Sequence, residues 1–442
     1  MDRMTENIGN AATYEVLFTD LNSEGDGVGR LADGRVVMVE GTLPGDRATV
    51  GLISTANSKI ARGEAIDLLS ASVNRKEHLC PHYAEGCPAS PLGVLKYKAA
   101  LEWKVNHLKE TLRRVGGVSV EPEECIASPS GWRYRDRVEL AVGMEEGVWK
   151  IGYRKELGIA PIHNCLLADD RIGQCIKTLS AALTKTSANQ KSEDPGGAVV
   201  RLRVGDIGRV VGTLYIASLQ PGVKFWGEWL RQGNLAGWEI RKVDSMESRH
   251  GDSKILVAEG VRSVTVHAGD AQVTLPAGAF TQANQSLRKK LAEEALRRIP
   301  VAGRLLDLYS GYGAFSYEYV RSGGSSLAID SDRSSIEAGR KAVDGRRIEF
   351  VIGNLNNSQA ISAIKGTFDA ALVDPPYGGL SKAVLSWLQA KGPRQLVYLS
   401  CHPAALARDL KGLAKYVIES VQPVDMFPQT PDLETIVRMK RG

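Results

Sequence analysis

The residues in this chain best suited to chemistry lie in its last third. Cys401 closes the apolar run QLVYLSC and opens the string SCHPAALARDL. A thiol is the most nucleophilic neutral side chain, and it strengthens as thiolate. Most cysteines are buried and structural, but the carboxyl end of an apolar run is where a sheet presents its working edge. Glu434 follows in DMFPQTPDLETIVRM. A carboxylate whose pKa is raised by burial can act as a general base, while the same residue on a surface does nothing. Asp374 stands in ALVDPPYGG, where two prolines fix the chain's exit and remove two backbone donors, giving a rigid ledge. Asp307, Tyr309, Gly311 and Gly313 form LLDLYSGYGAFS, an acid at the end of an apolar run followed by a glycine turn. Asp330 ends the next apolar run, LAIDSD, with Asp332 as its competitor.

Glycines let a ligand approach the backbone closely, and a helix amino terminus favours negative charge. The turn after Asp307 lacks the third glycine of the dinucleotide fingerprint, since Ser316 stands there. A short D-x-x-x-G-x-G turn is the form common to S-adenosylmethionine sites, although a plain strand–helix turn looks the same. Asp330 is placed to accept hydrogen bonds from ribose hydroxyls. An acid after a strand equally well caps the next helix.

These residues need a scaffold, and residues 271–442 supply its pattern. RLLDLYS, SSLAID, EFVIG, DAALVDPP, QLVYLSC and KYVIESVQPV are apolar runs, most of them alternating with helical stretches. The expected fold is α/β, a Rossmann-like domain with a largely parallel sheet buried on both faces. Residues 10–72 read as a small β-barrel: TYEVLFTDL, RVVMVEG and RATVGLIS are separated by turn-rich NSEGDGVG and TLPGD. Residues 73–270 form a central α+β domain. It opens on NRKEHLCPHYAEGCPAS and a basic helical stretch carrying Lys96, Lys98, Lys104, Lys109, Arg113 and Arg114. Strand-like RYRDRVELAVGM, VWKIGYRK, AVVRLRVGD and VVGTLYIAS follow, with a polar loop at 185–197. Interleaved Trp132, Arg133, Tyr134, Arg135 and Arg137 could stack on unpaired bases and meet phosphates, or could be an ordinary sheet edge.

Composition bounds the rest. The chain has 442 residues, and 43% hydrophobic against 24% charged excludes a disordered chain. No apolar run approaches the roughly 18 residues of a membrane span. The polar start, MDRMTENIGNAATYEV, carries no secretory pattern. Six cysteines are too few for a disulfide scaffold, so a cytoplasmic setting is expected. A net charge of +5 permits an anionic partner without requiring one.

Taken together, AFTQANQSL, DLYSGYGAF, VDPPYGG, VYLSCHPAALARDL and DMFPQTPDLE resemble the RNA uracil-5-methyltransferase family in order and spacing. EGDGVGRL with RVVMVEGTLPGD resembles the TRAM RNA-binding module, and GWRYRDRVEL with IGYRK resembles the family's central domain. The leading module and the cysteines at 80–90 resemble the 23S ribosomal RNA branch. The resemblance implies methylation of uridine carbon 5 in RNA, ribosomal RNA in the first place, by a monomer using S-adenosylmethionine. It implies Cys401 as nucleophile and Glu434 as base. It further implies Gln282, Tyr309, Gly311, Asp330, Asn354 and Asp374 around the cofactor, with Asp374 also beside the target base.

The chain departs from the family pattern in three places. That branch carries four cysteines for an iron–sulfur cluster; Cys80, Cys87 and Cys165 match three, and Ser90 stands at the fourth. A vestigial site without metal is the expectation. DPPR is here DPPY, with Tyr377, and a histidine near the carboxyl terminus is Asp432. DPPY also resembles the motif of amino-group methyltransferases. Cytosine carbon 5, an exocyclic amino group, or an RNA-binding protein retired from catalysis therefore stay as alternatives.

Overall fold

The computed structural model describes residues 13–53, 60–187, 197–219, 222–246, 253–362 and 364–442. The start of the expected barrel at 10–12 and most of the expected loop at 185–197 lie outside the described residues. The chain divides into two compact units, Met1–Lys104 with Gln429–Asp432, and Val105–Pro428 with Leu433–Gly442.

The first unit holds the barrel. Strands β1 (Thr13–Leu21), β2 (Gly27–Arg30), β3 (Val36–Val39), β4 (Arg47–Leu52) and β5 (Ile60–Ser70) close in the order β1-β2-β3-β5-β4. Every pairing is antiparallel except β3 with β5. Alternate residues point inward as the period of a strand demands: Val16 and Phe18, Val37 and Val39, Ala48 and Val50 are all buried. Asp46, fully buried, accepts from the Leu43 and Ser72 N–H groups at 2.7 Å and pairs with Arg75, pinning the chain that leaves the barrel. After it come the short helix α1 (Pro81–Ala84) and the start of α2 (Tyr97–Thr111).

The second unit contains two seven-stranded sheets. One is built from β6 (Arg137–Glu145), β7 (Val148–Arg154), β8 (Ile159–Pro161), β9 (Ala198–Arg203), β10 (Val211–Ile216), β11 (Gly237–Lys242) and β12 (Lys254–Gly260). Helices α3 (Asp170–Ser187) and α4 (Val223–Arg231) belong to the same region. The hairpin of β13 (Ser263–Ala268) and β14 (Ala271–Pro276) follows. The boundary expected at 270/271 falls in its turn, and Val264, Val266, Val273 and Leu275 pack with Tyr317, Ile336 and Phe350 of the carboxyl-terminal sheet and helices.

That last sheet is β17-β16-β15-β18-β19-β21-β20, from β15 (Arg304–Leu308), β16 (Ser325–Asp330), β17 (Ile348–Ile352), β18 (Ala370–Val373), β19 (Gln395–Ser400), β20 (Tyr416–Val424) and β21 (Glu434–Arg441). The first five run parallel, and β21 is antiparallel to both its neighbours. Its helices are α5 (Arg288–Leu296), α6 (Ala314–Arg321), α7 (Arg333–Lys341), α8 (Ser358–Ser362), α9 (Lys382–Lys391) and α10 (Pro403–Gly412). Leu306, Leu308, Val373 and Tyr398 pack into one core, and Leu305, Leu372, Val397 and Leu399 into another. These two cores explain the continuous apolar runs: a strand covered on both sides has no polar face. Burying each such side chain contributes roughly 1.5–3 kcal/mol.

Two sequence expectations about RNA contacts change here. Tyr134 is 4% exposed and donates its hydroxyl to the Pro428 carbonyl at 2.9 Å, so it is an anchor and not a stacking platform. Arg133 pairs with Asp170 at 3.0 Å. On the basic helical stretch Lys104 is buried, Arg113 and Arg114 both reach Glu110 at 2.8 and 3.0 Å, and Lys109 meets Glu121 at 2.5 Å. Part of its charge is paired within the chain, in ion pairs that stay at the surface, since residues three or four places apart on a helix are neighbours.

Candidate active site

Sheet order reverses between β15, the first strand of this sheet in the chain, and β18; the carboxyl ends of strands at such a switch point are where open α/β sheets bind ligands. Each expected cofactor residue except Gln282 and Asn354 lies at that edge. The glycine turn after β15 requires left-handed backbone: Gly311 has φ 53° and Gly313 φ 84°. A side chain at Gly313 would also press its Cβ to 2.8 Å from the Phe350 ring, while the space over Gly311 is open. Tyr309 adopts φ 61° without being glycine, a conformation costing roughly 1–2 kcal/mol. Its hydroxyl accepts the Ser381 N–H at 3.3 Å, which ties the turn to the start of α9.

Asp330 and Asp332 now have different tasks. Asp332 is the cap of α7, accepting from Ser334 N–H at 3.0 Å. Asp330 accepts from Gly311 N–H and Asp332 N–H, both at 2.8 Å, and so holds the glycine turn beside its own carboxylate. Asp307 is fully buried and accepts the Ser316 hydroxyl at 2.6 Å; Ser316 in turn lies 2.8 Å from the Ser326 hydroxyl. A serine breaks the glycine fingerprint at 316 because its hydroxyl serves this acid.

Asp374 follows β18, its N–H donating to the Leu308 carbonyl at 3.3 Å, and it accepts from Gln282 Nε2 at 3.1 Å. Burial, then repulsion among neighbouring acids, pushes the carboxyls of Asp307 and Asp374 up to about 7. Acids at the ends of three neighbouring strands suit a ligand with hydroxyls to donate and a positive charge to place. Those are the features of S-adenosylmethionine, so these residues fit that group. Gln282 is held from behind: its carbonyl accepts Arg288 Nε at 2.8 Å, and Arg288 pairs with Asp136 and, at 3.0 Å, with Asp206. Buried Arg203 donates to the Thr281 hydroxyl at 3.1 Å in the same network. Asn354 is exposed past β17, its side-chain oxygen accepting Asn356 N–H at 2.9 Å in a local turn.

Cys401 and Glu434 lie at the ends of neighbouring strands. β19 pairs with β21 with Ser400 opposite Thr435. Cys401 is the residue after Ser400, and Glu434, the residue before Thr435, is the first of β21. Glu434 is 2% exposed, and Cys401 is half-buried. His402 and Pro403 then start α10, whose amino-terminal end carries positive partial charge beside the thiol.

Two residues that the sequence showed without a role fix the DPPYGG ledge. Asp409, buried in α10, accepts Leu380 N–H at 2.6 Å and the Tyr398 hydroxyl at 2.8 Å. Arg408 donates to the Gly378 carbonyl at 2.8 Å and pairs with Asp409 at 2.6 Å. The RDL of SCHPAALARDL was the available signal: a buried acid in a helix needs donors, and the nearest unsatisfied ones belong to a tight glycine turn.

The cysteine segment of the first unit is arranged otherwise. Ser90 is buried, and its hydroxyl lies 3.2 Å from His78 Nε2. Cys80 Sγ lies 3.7 Å from His82 Nδ1, and in the second unit Cys165 Sγ lies 3.3 Å from the Tyr153 hydroxyl. A hydroxyl engaged by an imidazole is not a fourth thiolate, so this set does not fit a four-thiolate iron–sulfur cluster.

The sheet order, with its last strand inserted antiparallel, and the acid-lined glycine turn define a Rossmann-like methyltransferase. Residues 10–66 match the model of the TRAM domain, and residues 245–442 match that of the tRNA (Uracil-5-)-methyltransferase family. The chain is 28% identical to an uncharacterised RNA methyltransferase of Clostridium acetobutylicum, with 97% of each covered. It is also 28% identical to one from a Synechocystis species, over 97% of this chain and 96% of that one. Among solved structures it resembles the Pyrococcus abyssi tRNA (uracil-54, C5)-methyltransferase in complex with S-adenosyl-L-homocysteine. That match has a TM-score of 0.72 at 23% identity, covering 96% of this chain and all of the other, and it bears on the fold. The chain thus carries a TRAM-domain match in front and a tRNA (Uracil-5-)-methyltransferase match over its carboxyl-terminal residues, and its relatives along the whole length are named as RNA methyltransferases.

Proposed function

We propose that this protein methylates carbon 5 of a uridine in RNA through a covalent adduct on Cys401. The observation that supports the reading is the β19–β21 register: Ser400 stands opposite Thr435, and next to them a half-buried thiol, Cys401, follows β19 while a buried carboxylate, Glu434, begins β21. Carbon 5 of uracil is a weak nucleophile. Thiolate addition at carbon 6 forms a Sγ–C6 bond and leaves carbon 5 enolate-like. S-adenosylmethionine, when bound, supplies the sulfonium methyl group that carbon 5 takes. Glu434 then removes the carbon-5 proton, the electron pair of that C–H bond restores the 5,6 double bond, and the Sγ–C6 bond breaks to free Cys401. Asp330 holds ribose hydroxyls, and Gln282 with Asp374 holds the polar end of the site. Carbon 6 is inaccessible inside a helix, so the target uridine lies in a loop or is turned out of its stack.

The TRAM domain and the cysteine segment favour ribosomal RNA. A specific observation favours the second reading, transfer RNA: a structure named for a tRNA substrate is matched along nearly the whole chain. Incubating the protein and labelled cofactor with RNA from cells lacking it separates these readings. 5-Methyluridine in the ribosomal fraction is expected. Label only in transfer RNA moves the substrate, and 5-methylcytidine or a methylated amino group overturns the reaction.

A further inference from the structure

The residue following Asp374 and its two prolines is an exposed aromatic. Tyr377 is 63% exposed and stacks on His402, ring centroids 4.0 Å apart and planes within 10°. His402 is the residue after Cys401, so this two-ring stack is built onto the mouth of the proposed reaction site. Its backbone is fixed on both sides. His402 Nδ1 donates to the Tyr377 carbonyl at 3.2 Å, Gly379 N–H donates to the Pro376 carbonyl at 2.8 Å, and Arg408 holds the Gly378 carbonyl. The Tyr377 ring belongs to neither core and stacks on His402 while most of its surface meets solvent. A large flat side chain held in the open by a rigid turn is costly unless something covers it.

We propose that the Tyr377–His402 stack is a platform for an RNA base flanking the target uridine. Any base offers a π face, so an aromatic ring already fixed in place binds one with little loss of freedom. The target uracil itself must reach Glu434, which is 2% exposed, whereas Tyr377 stands in solvent. The exposed ring therefore suits the next base along the strand, which stays splayed when its neighbour is withdrawn. This rests on the RNA-methylation reading above and adds the residue that selects a single-stranded context around the target.

The test compares wild type with Tyr377→Ala and Tyr377→Phe. Substrate is RNA from cells lacking the protein, and binding is measured in parallel on a ten-nucleotide oligouridylate. Expected for Tyr377→Ala is a rise of about tenfold or more in KM for RNA and in Kd for the oligouridylate. The KM for S-adenosylmethionine should stay within twofold, which also shows that the variant is folded. Tyr377→Phe, which keeps the ring and loses the hydroxyl, should restore both RNA values. Unchanged RNA values in Tyr377→Ala overturn the platform, and so does a Phe variant as weak as the Ala variant. Failure of wild type to methylate RNA would instead count against the methylation reading. The oligouridylate arm would still decide the platform.

Discussion

Two cysteine-bearing stretches of this chain differ in what surrounds the sulfur. Cys401 follows a buried strand whose neighbour begins at Glu434, and it precedes the positive end of a ten-residue helix. Cys80 and Cys87 sit in a short-helix segment where the position matched to a further thiol is Ser90, bonded to His78. The same side chain is the proposed nucleophile in one place, and in the other it stands among residues that do not make a four-thiolate set. What differs is the company kept: a carboxylate and a helix terminus at 401, a hydroxyl and imidazoles at 78–90.

The sharpest way to break the contrast is to remove the thiol at 401. Cys401→Ala should lower methyl transfer on the order of 10⁴-fold or more, read as labelled methyl in RNA, with the cofactor still bound. Glu434→Gln should slow turnover by about 10²–10⁴-fold and differ in kind, since carbon 6 attack and methylation can still occur. Protein–RNA adduct should accumulate on denaturing gels, and a Gln variant without adduct would remove Glu434 from the role of base. Asp409→Ala should leave the Leu380 N–H and Tyr398 hydroxyl buried without their acceptor, at about 1–3 kcal/mol, lowering both Tm and kcat by loosening the Asp374 ledge.

Asp374→Asn sharpens the electrostatic side. Its carboxyl is raised to about 7, so the folded state keeps the proton longer than the unfolded chain does. Wild-type stability therefore falls as pH rises from about 4 through about 7. Cofactor affinity gains over the same window as the carboxylate forms. The variant should bind cofactor about tenfold or more weakly at pH 8, and its melting temperature should fall less between pH 5 and pH 8. An equal fall would show that Asp374 carries no such strain. The smallest effect is expected at Ser90: anaerobically purified protein should hold well under one iron per chain, and about four irons with matching sulfide would erase the contrast between the two stretches.

Much of this was legible in the residues. Parallel strands buried on both faces leave continuous apolar runs, and the acids at their ends mark the sheet's open edge; hence Asp307, Asp330 and Asp374 could be placed without coordinates. Asp330 and Asp332 could not be separated, because capping and ribose binding ask for the same side chain two residues apart. Tyr134 looked like a stacking ring because sequence shows a ring and not the Pro428 carbonyl that takes its hydroxyl. Asp409 was visible in a recognised string, yet its work lies 29 residues away in chain at Leu380. That the end of β19 lies beside the start of β21 depends on β21 entering the sheet antiparallel, a long-range register that no local pattern carries.

Trapping tests the covalent role of Cys401 most directly. RNA carrying 5-fluorouridine offers no carbon-5 proton to Glu434, so the Sγ–C6 bond formed with it should persist after methyl transfer. Wild-type protein with S-adenosylmethionine should give a denaturation-resistant adduct whose mass maps to the peptide containing Cys401, and Cys401→Ala should give none. An adduct on another residue, or continued methylation by Cys401→Ala without one, would contradict it.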